Sequence, residues 1–447
     1  MHEQFSARNE DDGFTLIEVV VAMVVFAIVA TGFIYVATSA LVSTRDTRAR
    51  VVAANLASQR IDFVRSQNAL DVRNVTDTVT LNGDTFHVKT SWAWATAGGG
   101  SATCESGPTA GGAFTYKKVT VKVTWDNMPS PDQAVYSDTS MVPKTKINDV
   151  TRGTVLVGVI DASGVGVSGV TVSLTPTNGV ASVTTDSDGC AYLLKVPEGD
   201  YTVSIAKAGY VNDQHVDKPT ATVPVTKGGS SRVSFAYDRA ATFTATYAGG
   251  TASLPTNLTT TLLSTYGNRQ VAATTNANPK TFALYPTPSG YSFVAGAFAE
   301  NPGDVAASCL APDPGAWAET STTIGHRPDA IGAAPGGTVP VAVSMGVVRL
   351  TGLTGAGSFL TAVYVGGGDG DPGCGYATKP TYTFGNTTIV SNAATLALPY
   401  GTWKIYRGTT PGAVTSQITS GIAVTTVGMV SGTGPATIVT LDPRVLK

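Results

Sequence analysis

Glu18 is the one charged side chain in a long apolar run near the N-terminus of this sequence. Between Phe14 and Val42 the chain reads FTLIEVVVAMVVFAIVATGFIYVATSALV, and no other Asp, Glu, Lys or Arg interrupts it. A carboxylate near the centre of a lipid bilayer costs about 2 to 3 kcal/mol or more. Because opposite charges attract strongly where the dielectric constant is low, the sequence predicts a cationic partner for Glu18.

The histidines form no recognisable catalytic or metal-binding pattern. His2, His87, His215 and His326 are scattered along the chain. The sequence contains no nucleophile elbow, no phosphate-binding loop and no HExxH motif. We therefore predict that the protein is not an enzyme and needs neither a cofactor nor a metal. The formal net charge of −2 gives no overall attraction to nucleic acid, so we predict no nucleic-acid partner.

The four cysteines suit disulfides in an exported protein, because they are even in number and none forms a CxxC pair. Cys309 and Cys374 lie in loop-like segments flanked by Pro and Gly, ASCLAPDPGA and GDPGCGY, and we predict that they pair. By elimination, Cys104 then pairs with Cys190. Buried free thiols are the alternative.

A single long helix is expected to carry Glu18. The apolar run would be roughly 43 Å long as a helix, which is enough to span a bilayer. Beyond it, Ala53, Ala57, Ile61 and Val64 recur at spacings of four, four and three, which places them on one helical face. The pattern predicts a helix over 14–66, half membrane anchor and half amphipathic stem.

The segment GFTLIEV at 13–19 resembles the class III leader junction of type IV pilins and pseudopilins. The later segment 53–65 is similar to the stem of minor pilins and of minor pseudopilins of type II secretion. The resemblance implies a leader peptide over 1–13, cleavage between Gly13 and Phe14, and methylation of the new Phe14 amine. It also implies that Glu18 attracts the N-terminal amine of a neighbouring subunit during assembly. The alternative is that Glu18 lies near the lipid headgroups or is protonated.

The charges that flank the apolar run conflict with the topology of that family. The leader holds Arg8 among several acidic residues, whereas Arg45, Arg48 and Arg50 follow the run. Counted alone, these arginines would place the C-terminal side in the cytoplasm. The resemblance implies the reverse: a single-pass membrane protein with its body outside the cytoplasm, and later on a pilus or cell surface. It implies as partners a prepilin peptidase, other pilins through the N-terminal helix, and the cytoplasmic membrane before assembly.

Alternating apolar and polar residues follow the stem. In TFHVKTSWAW (85–94) and YKKVTVKVTW (116–125), the apolar residues fall on one face of each strand. In the second strand, Lys118, Thr120, Lys122 and Thr124 share the opposite face. The pattern predicts a small antiparallel sheet packed on the stem, as a pilin head over 67–149.

The chain from 150 to 238 resembles the carboxypeptidase regulatory-like domain, a small transthyretin-like β-sandwich. The resemblance rests on VSGVTVSL (167–174), TDSDGCAY (185–192) and VPEGDYTV (196–203). The DSDG segment is also faintly similar to a calcium loop, but it lacks the later ligands, which favours a turn. Similar strand and turn segments recur after residue 238, and they predict two further sandwich modules, over 239–345 and 346–447. Chance similarity among Gly- and Pro-containing turns is the alternative.

The predicted fold class is therefore α+β: a long membrane-spanning helix with a small antiparallel head, then a tandem of all-β sandwich modules. The predicted function is a non-enzymatic minor pilin at the tip of a type IV pilus, for adhesion or initiation of assembly. Two alternatives stay open: a minor pseudopilin of a type II secretion or DNA-uptake system, and a pilin-anchored adhesin for a surface receptor or glycan. Four aromatic residues are candidates for stacking on sugars, although strand aromatics more often belong to a core: Trp317, Tyr364, Tyr376 and Trp403.

Overall fold

The computed structural model describes residues 15–96, 101–104, 114–143, 150–250, 252–354, 357–386 and 388–447. The chain divides into two compact units, Met1–Thr154 with Thr226–Ser231 and Val155–Val225 with Arg232–Lys447. One long helix opens the first unit, and strands supply nearly all other regular structure of the described residues. The predicted fold class, a long N-terminal apolar helix followed by many strands, is confirmed.

Helix α1 spans Leu16–Ser66. It begins after Thr15, whose backbone is extended, and it ends where Gln67 becomes extended and donates its N–H to the carbonyl oxygen of Val64. Gly32 does not interrupt the helix, and a Cβ at this position would meet no atom within 4 Å. Among the described residues, α1 is the one helix that is long and apolar enough to cross a membrane, with a mean hydropathy of 2.7 in its most apolar part.

A five-stranded antiparallel sheet follows the helix in the first unit. Its strand order is β1-β2-β4-β5, and the short β3 pairs with β2. Phe86 lies opposite Trp125 and Val88 opposite Val123 in the β2–β4 register. The strands are β1 (Val75–Leu81), β2 (Asp84–Thr96), β3 (Ser101–Ala102), β4 (Phe114–Trp125) and β5 (Val135–Met141).

The next eight strands form two four-stranded sheets, with orders β12-β10-β7-β8 and β11-β13-β6-β9. Apolar side chains from both sheets share one core, which includes Val157, Leu174, Val203 and Tyr237. Two sheets with a common apolar interior make a β-sandwich. The strands are β6 (Gly153–Ile160), β7 (Thr171–Thr175), β8 (Val183–Thr184), β9 (Cys190–Val196), β10 (Gly199–Ala206), β11 (Tyr210–Asn212), β12 (Thr220–Val225) and β13 (Ser230–Arg239).

The remaining strands form five sheets, with orders β17-β14-β20, β16-β15-β18, β19-β30, β24-β21-β27 and β23-β22-β25-β29-β28, the last also holding β26. The strands are β14 (Ala241–Tyr247), β15 (Thr259–Ser264), β16 (Gly267–Ala272), β17 (Lys280–Leu284), β18 (Ser292–Ala295), β19 (Thr323–Ile324), β20 (Thr338–Val343), β21 (Gly346–Leu350), β22 (Phe359–Tyr364), β23 (Thr381–Thr383), β24 (Ala394–Leu398), β25 (Gly401–Gly408), β26 (Ser416–Gln417), β27 (Ile422–Val424), β28 (Gly428–Ser431), β29 (Ile438–Leu441) and β30 (Val445–Leu446).

One continuous hydrophobic core extends through this last part of the chain. It contains Phe243 and Leu262 together with Leu360 and Trp403, which are far apart in sequence. Backbone contacts join the same regions, because Thr256 donates its N–H to the carbonyl oxygen of Thr383 at 2.8 Å. The division into modules at 345/346 stays a prediction, and residues on both sides of it contribute to the same core.

Candidate functional site

Glu18 lies in the first turn of α1, and its side chain is exposed. The hydroxyl of Thr15 donates to its carboxylate at 3.4 Å. The first backbone N–H groups of a helix have no partner within the helix, and they give this end a partial positive charge. The helix start therefore favours a carboxylate at this position even before an external cation is present.

The residues on which cleavage and methylation are predicted, Gly13 and Phe14, lie outside the described residues, as does the predicted leader over 1–13. The described helix begins two residues after Phe14. Their roles stay predictions, and so does the pairing of Glu18 with a neighbouring subunit's amine.

The first half of α1 is exposed along its length, with large apolar side chains such as Phe26 and Phe33 about three-quarters accessible. Hydroxyl groups in this half bond to the helix itself. Thr31 donates to the carbonyl oxygen of Ala27 at 2.7 Å, and Thr38 donates to that of Ile34 at 2.9 Å. Because these polar groups are satisfied within the helix, this surface suits lipid or the apolar faces of other helices.

The second half of α1 is buried along one stripe against the five-stranded sheet of β1 to β5, the head sheet. The predicted face of Ala53, Ala57, Ile61 and Val64 is confirmed, and Ala49 extends it by one turn. Alanine at three of these positions lets the helix backbone approach the sheet closely. The stripe packs against Phe86, Val88, Val121, Val123 and Trp125.

Three arginines of α1 connect the stem to the sheet at its polar margins. Arg45 forms an ion pair with Asp84 at the start of β2. Arg60 lies 2.6 Å from Asp77 on β1 and donates to the hydroxyl of Thr90 at 2.9 Å. Arg65 donates to the hydroxyl of Thr139 on β5 at 3.0 Å. The stem and the head sheet are thus held together by both apolar and polar contacts.

Lys117 is a buried cation that no sequence motif marks. It lies on the helix-facing side of β4 and is fully inaccessible to solvent. Its Nζ donates to the carbonyl oxygen of Val72 at 2.8 Å and lies 3.7 Å from the ring centroid of Trp92. A signal was available, because Lys117 falls on the face that alternation assigns to Val119 and Val121. To predict that its ammonium group is buried there, one must also know its contacts with the Val72 carbonyl oxygen and the Trp92 ring.

A disulfide joins Cys309 and Cys374 in the structure. It links two loops that also pair through their backbones, since Cys309 and Cys374 form an isolated antiparallel bridge. The described residues contain no free cysteine, so Cys104 and Cys190 are not free thiols either. The connectivity in the exported protein, including a Cys104–Cys190 pair, stays a prediction.

Three of the four aromatic residues that are candidates for stacking on sugars lie in the core, where strand aromatics are more often found. Trp317, Tyr364 and Trp403 are each at most 3% exposed. The indole N–H of Trp317 donates to the carbonyl oxygen of Ala311, and that of Trp403 to the carbonyl oxygen of Pro399. Only Tyr376 is partly accessible. Non-local packing buries these rings, which strand alternation alone does not decide.

The DSDG segment forms a turn, as predicted from its lack of further calcium ligands. One carboxylate oxygen of Asp186 accepts the backbone N–H groups of Asp188 and Cys190, at 2.9 and 3.0 Å. Gly189 has a φ of +73°, and a Cβ there would stand 2.1 Å from the carbonyl oxygen of Val159. Only glycine allows the backbone at this position to lie so close to the Val159 carbonyl oxygen. No group of three or more potential metal ligands occurs in the described ranges.

His215 is the histidine with the most constrained surroundings. Its Nδ1 accepts the backbone N–H of Tyr285 at 3.1 Å, and its ring packs edge-on against Tyr291. Burial, with a smaller contribution from nearby Arg269, lowers the pKa of His215 to about 4. This histidine is therefore neutral near pH 7, and it connects the loop after β11 to the core of the following strands.

Two stretches of the sequence match known protein families. Residues 8–34 match the prokaryotic N-terminal methylation motif, and residues 154–238 match the carboxypeptidase regulatory-like domain. The first match contains Glu18 and the predicted cleavage junction. The second covers nearly all of strands β6 to β13. No curated protein matches the chain.

Several solved structures are distantly similar to this chain. The Bacillus anthracis TIE protein is 16% identical, with 78% of this chain and 72% of that chain covered and a TM-score of 0.20. A streptococcal ancillary pilin is 10% identical, with 64% and 87% covered and a TM-score of 0.18. The minor pilin GBS52 of Streptococcus agalactiae is 13% identical, with 43% and 94% covered and a TM-score of 0.18. Similarity at this level does not show a shared function.

The family matches and the structure agree on the organisation of the chain. The methylation motif coincides with the start of the long apolar helix, and the regulatory-like domain coincides with the first β-sandwich. The protein therefore carries a prokaryotic N-terminal methylation motif at the start of its long helix and a carboxypeptidase regulatory-like domain in its first β-sandwich.

Proposed function

We propose that this protein is a non-enzymatic minor pilin that is assembled at the tip of a type IV pilus. There it displays its β-sandwich regions for adhesion or for initiation of assembly. A prepilin peptidase removes residues 1–13, and the new amine of Phe14 is methylated.

The observation that carries this proposal is the division of α1 into two halves. The first half exposes apolar side chains on all sides and bears Glu18 near its start, whereas the second half is buried along one stripe. An exposed apolar helix of this length is stable in lipid. In a filament, the same surface is covered by equivalent helices of neighbouring subunits, since burial of apolar surface is worth about 25 cal/mol per Å². The apolar first half of α1 is therefore suited both to the membrane before assembly and to the filament interior afterwards.

Glu18 gives the assembly its register. A neighbouring subunit's N-terminal amine next to this carboxylate satisfies both charges, and a displaced neighbour leaves each without a partner in a medium of low dielectric constant. The pair therefore favours one axial offset between adjacent helices. This role requires the body of the protein to lie outside the cytoplasm and the leader to lie inside.

The size of the second unit supports a terminal position. Val155–Val225 and Arg232–Lys447 together exceed the helix and head in length. A subunit with such a body would crowd its neighbours if it occurred at every repeat of a filament shaft. At the tip, the same body has free space and faces any surface that the filament meets.

The test is the position of the protein on filaments of its native host. Antibodies against the second unit, with gold labels, should mark one end of sheared pili in electron micrographs. Regular labelling along the shaft would contradict the tip position. Recovery of the protein only with a secretin complex, in a host without pili, would overturn the pilus assignment and favour the pseudopilin alternative.

A further inference from the structure

The outer face of the head sheet, opposite α1, carries a pair of lysines side by side. Lys89 on β2 and Lys122 on β4 are direct cross-strand partners. Their neighbours Val88 and Val123 belong to the core beneath the helix. Because side chains alternate along strands, both lysines point away from that core. Like charges directly opposite each other in a sheet are destabilising, since their Cβ atoms are only about 5 Å apart.

The acidic groups near this face pair with residues other than Lys89 and Lys122. Asp138 lies 3.0 Å from the ammonium of Lys118, and hydrogen bonds from Thr120 and Lys118 lower its pKa. Asp126 lies 3.2 Å from Nε2 of His87. Within the part of the sheet that the structure describes, neither Lys89 nor Lys122 forms an ion pair. The two ammonium groups are therefore available to an anionic partner.

Two tyrosines share the same face with the lysine pair. Tyr136 on β5 is the cross-strand partner of Lys122, and the Lys122 ammonium lies 5.5 Å from its ring centroid. Tyr116 lies on β4, with Lys118 and Lys122 two and six residues further along the strand. Tyr136 is 58% and Tyr116 38% exposed, so both rings present area to solvent. The remaining outward side chains are small or hydroxyl-bearing, which leaves the face open.

We propose that the outer face of the head sheet binds single-stranded nucleic acid. Lysines contact the phosphodiester backbone, and exposed tyrosines stack on unpaired bases. An antiparallel sheet with exposed aromatic rings is a suitable platform for this, whereas bases in a duplex are already stacked and present no free face. The net charge of −2 predicts no overall attraction to nucleic acid. The charge of one face of a sheet, however, can differ in sign from the net charge of the whole chain.

The test is fluorescence anisotropy of a labelled 20-nucleotide oligothymidylate with the full chain in a neutral detergent. The affinity should fall with salt, and each phosphate contact contributes about −0.7 to the slope of log K against log salt. The double variant Lys89→Gln/Lys122→Gln should reduce that slope by about 1.4. Lys218→Gln, which removes an exposed charge from the second unit, is the matched control and should change nothing.

Stacking is tested separately from charge. Tyr136→Ala should weaken binding about tenfold and leave the salt slope nearly unchanged, because a ring carries no charge. The melting temperature of the double lysine variant should not fall, which shows that the head remains folded. An unchanged slope and affinity in that variant would overturn the proposal. Equal displacement of the oligonucleotide by polyglutamate of matched charge would also overturn it, in favour of an acidic polypeptide partner.

Discussion

Arg45 and Asp84 join the helix to the head sheet at the point where the apolar half of α1 ends. Nε of Arg45 donates to a carboxylate oxygen of Asp84 at 3.1 Å, and the pair closes the start of β2 onto the stem. A count of arginines after the apolar run treats Arg45 as a free charge, but the head neutralises it. Arg48 and Arg50 also follow the apolar run, so the positive-inside count still conflicts with a body outside the cytoplasm.

Replacing Gly13 should block maturation. In Gly13→Leu, a large side chain at the junction should prevent cleavage and leave a precursor about 13 residues longer. Mass spectrometry of the membrane-extracted protein measures the N-terminus directly. Gly32→Ala is the control, because this helix position has open space around it and lies away from the junction. A mature N-terminus other than Phe14 in the wild type would contradict the proposed processing.

Removing the charge of Glu18 should separate insertion from assembly. Glu18→Val should still enter the membrane, since the cost of the carboxylate is gone, yet it should be lost from sheared filaments. Glu18→Gln keeps the shape and should fail in the same way if the charge sets the register. Immunoblots of membrane and filament fractions provide the measurement. Equal recovery of the valine variant and the wild type in filaments would argue against this role.

A larger side chain in the buried stripe should destabilise the head. Ala53 is fully buried against the sheet, so Ala53→Leu should lower the free energy of unfolding of the head by about 1 to 3 kcal/mol through overpacking. Ala54 is adjacent and exposed, and Ala54→Leu should change it by less than about 0.5 kcal/mol. Denaturant unfolding of the full chain in detergent compares the two. Equal effects would mean that the stem does not pack as described.

The second unit should lose stability in mild acid through His215. Its folded pKa is about 4, below the value near 6.5 of an unfolded histidine. The unfolded state therefore binds the proton more readily, and stability present above pH 6.5 is lost as the pH falls towards 4. Because the side chain is partly accessible, we expect a loss of about 1 to 2 kcal/mol.

His215→Asn tests this effect, because asparagine tolerates the positive φ of this position and its side chain can still accept from Tyr285. The variant should show a flatter dependence of unfolding free energy on pH between 4 and 6.5. His326→Asn, in an exposed loop, is the control and should retain the wild-type dependence. An unchanged profile in His215→Asn would assign the acid sensitivity to other groups.

The disulfide between Cys309 and Cys374 should contribute strongly to the second unit. It closes a loop with a sequence separation of 65, for which the chain-entropy model gives about 4 kcal/mol, less any strain. Cys309→Ser/Cys374→Ser should lower the unfolding free energy of that unit towards this amount. Non-reducing peptide mapping of protein exported by its own host tests the pairing itself. Free thiol at both positions would remove it.

The sequence by itself determined the features that depend on local periodicity. The spacing of Ala53, Ala57, Ile61 and Val64 specified the buried face of the stem, because helix geometry repeats every 3.6 residues. Alternation along β4 likewise separated its core face from its outer face. The N-terminal motif and the regulatory-like domain were also readable, since each is a contiguous stretch of chain.

Only the tertiary structure decided which long or distant side chains meet. Lys117 is buried while the adjacent Lys118 is exposed, and Trp317 and Trp403 lie in a core. That core is built from segments on both sides of residue 345. The similarity among turns in the sequence instead predicts a boundary between two modules there. The physical reason is that burial of an individual ring or cation depends on contacts across the sequence, which local patterns do not encode.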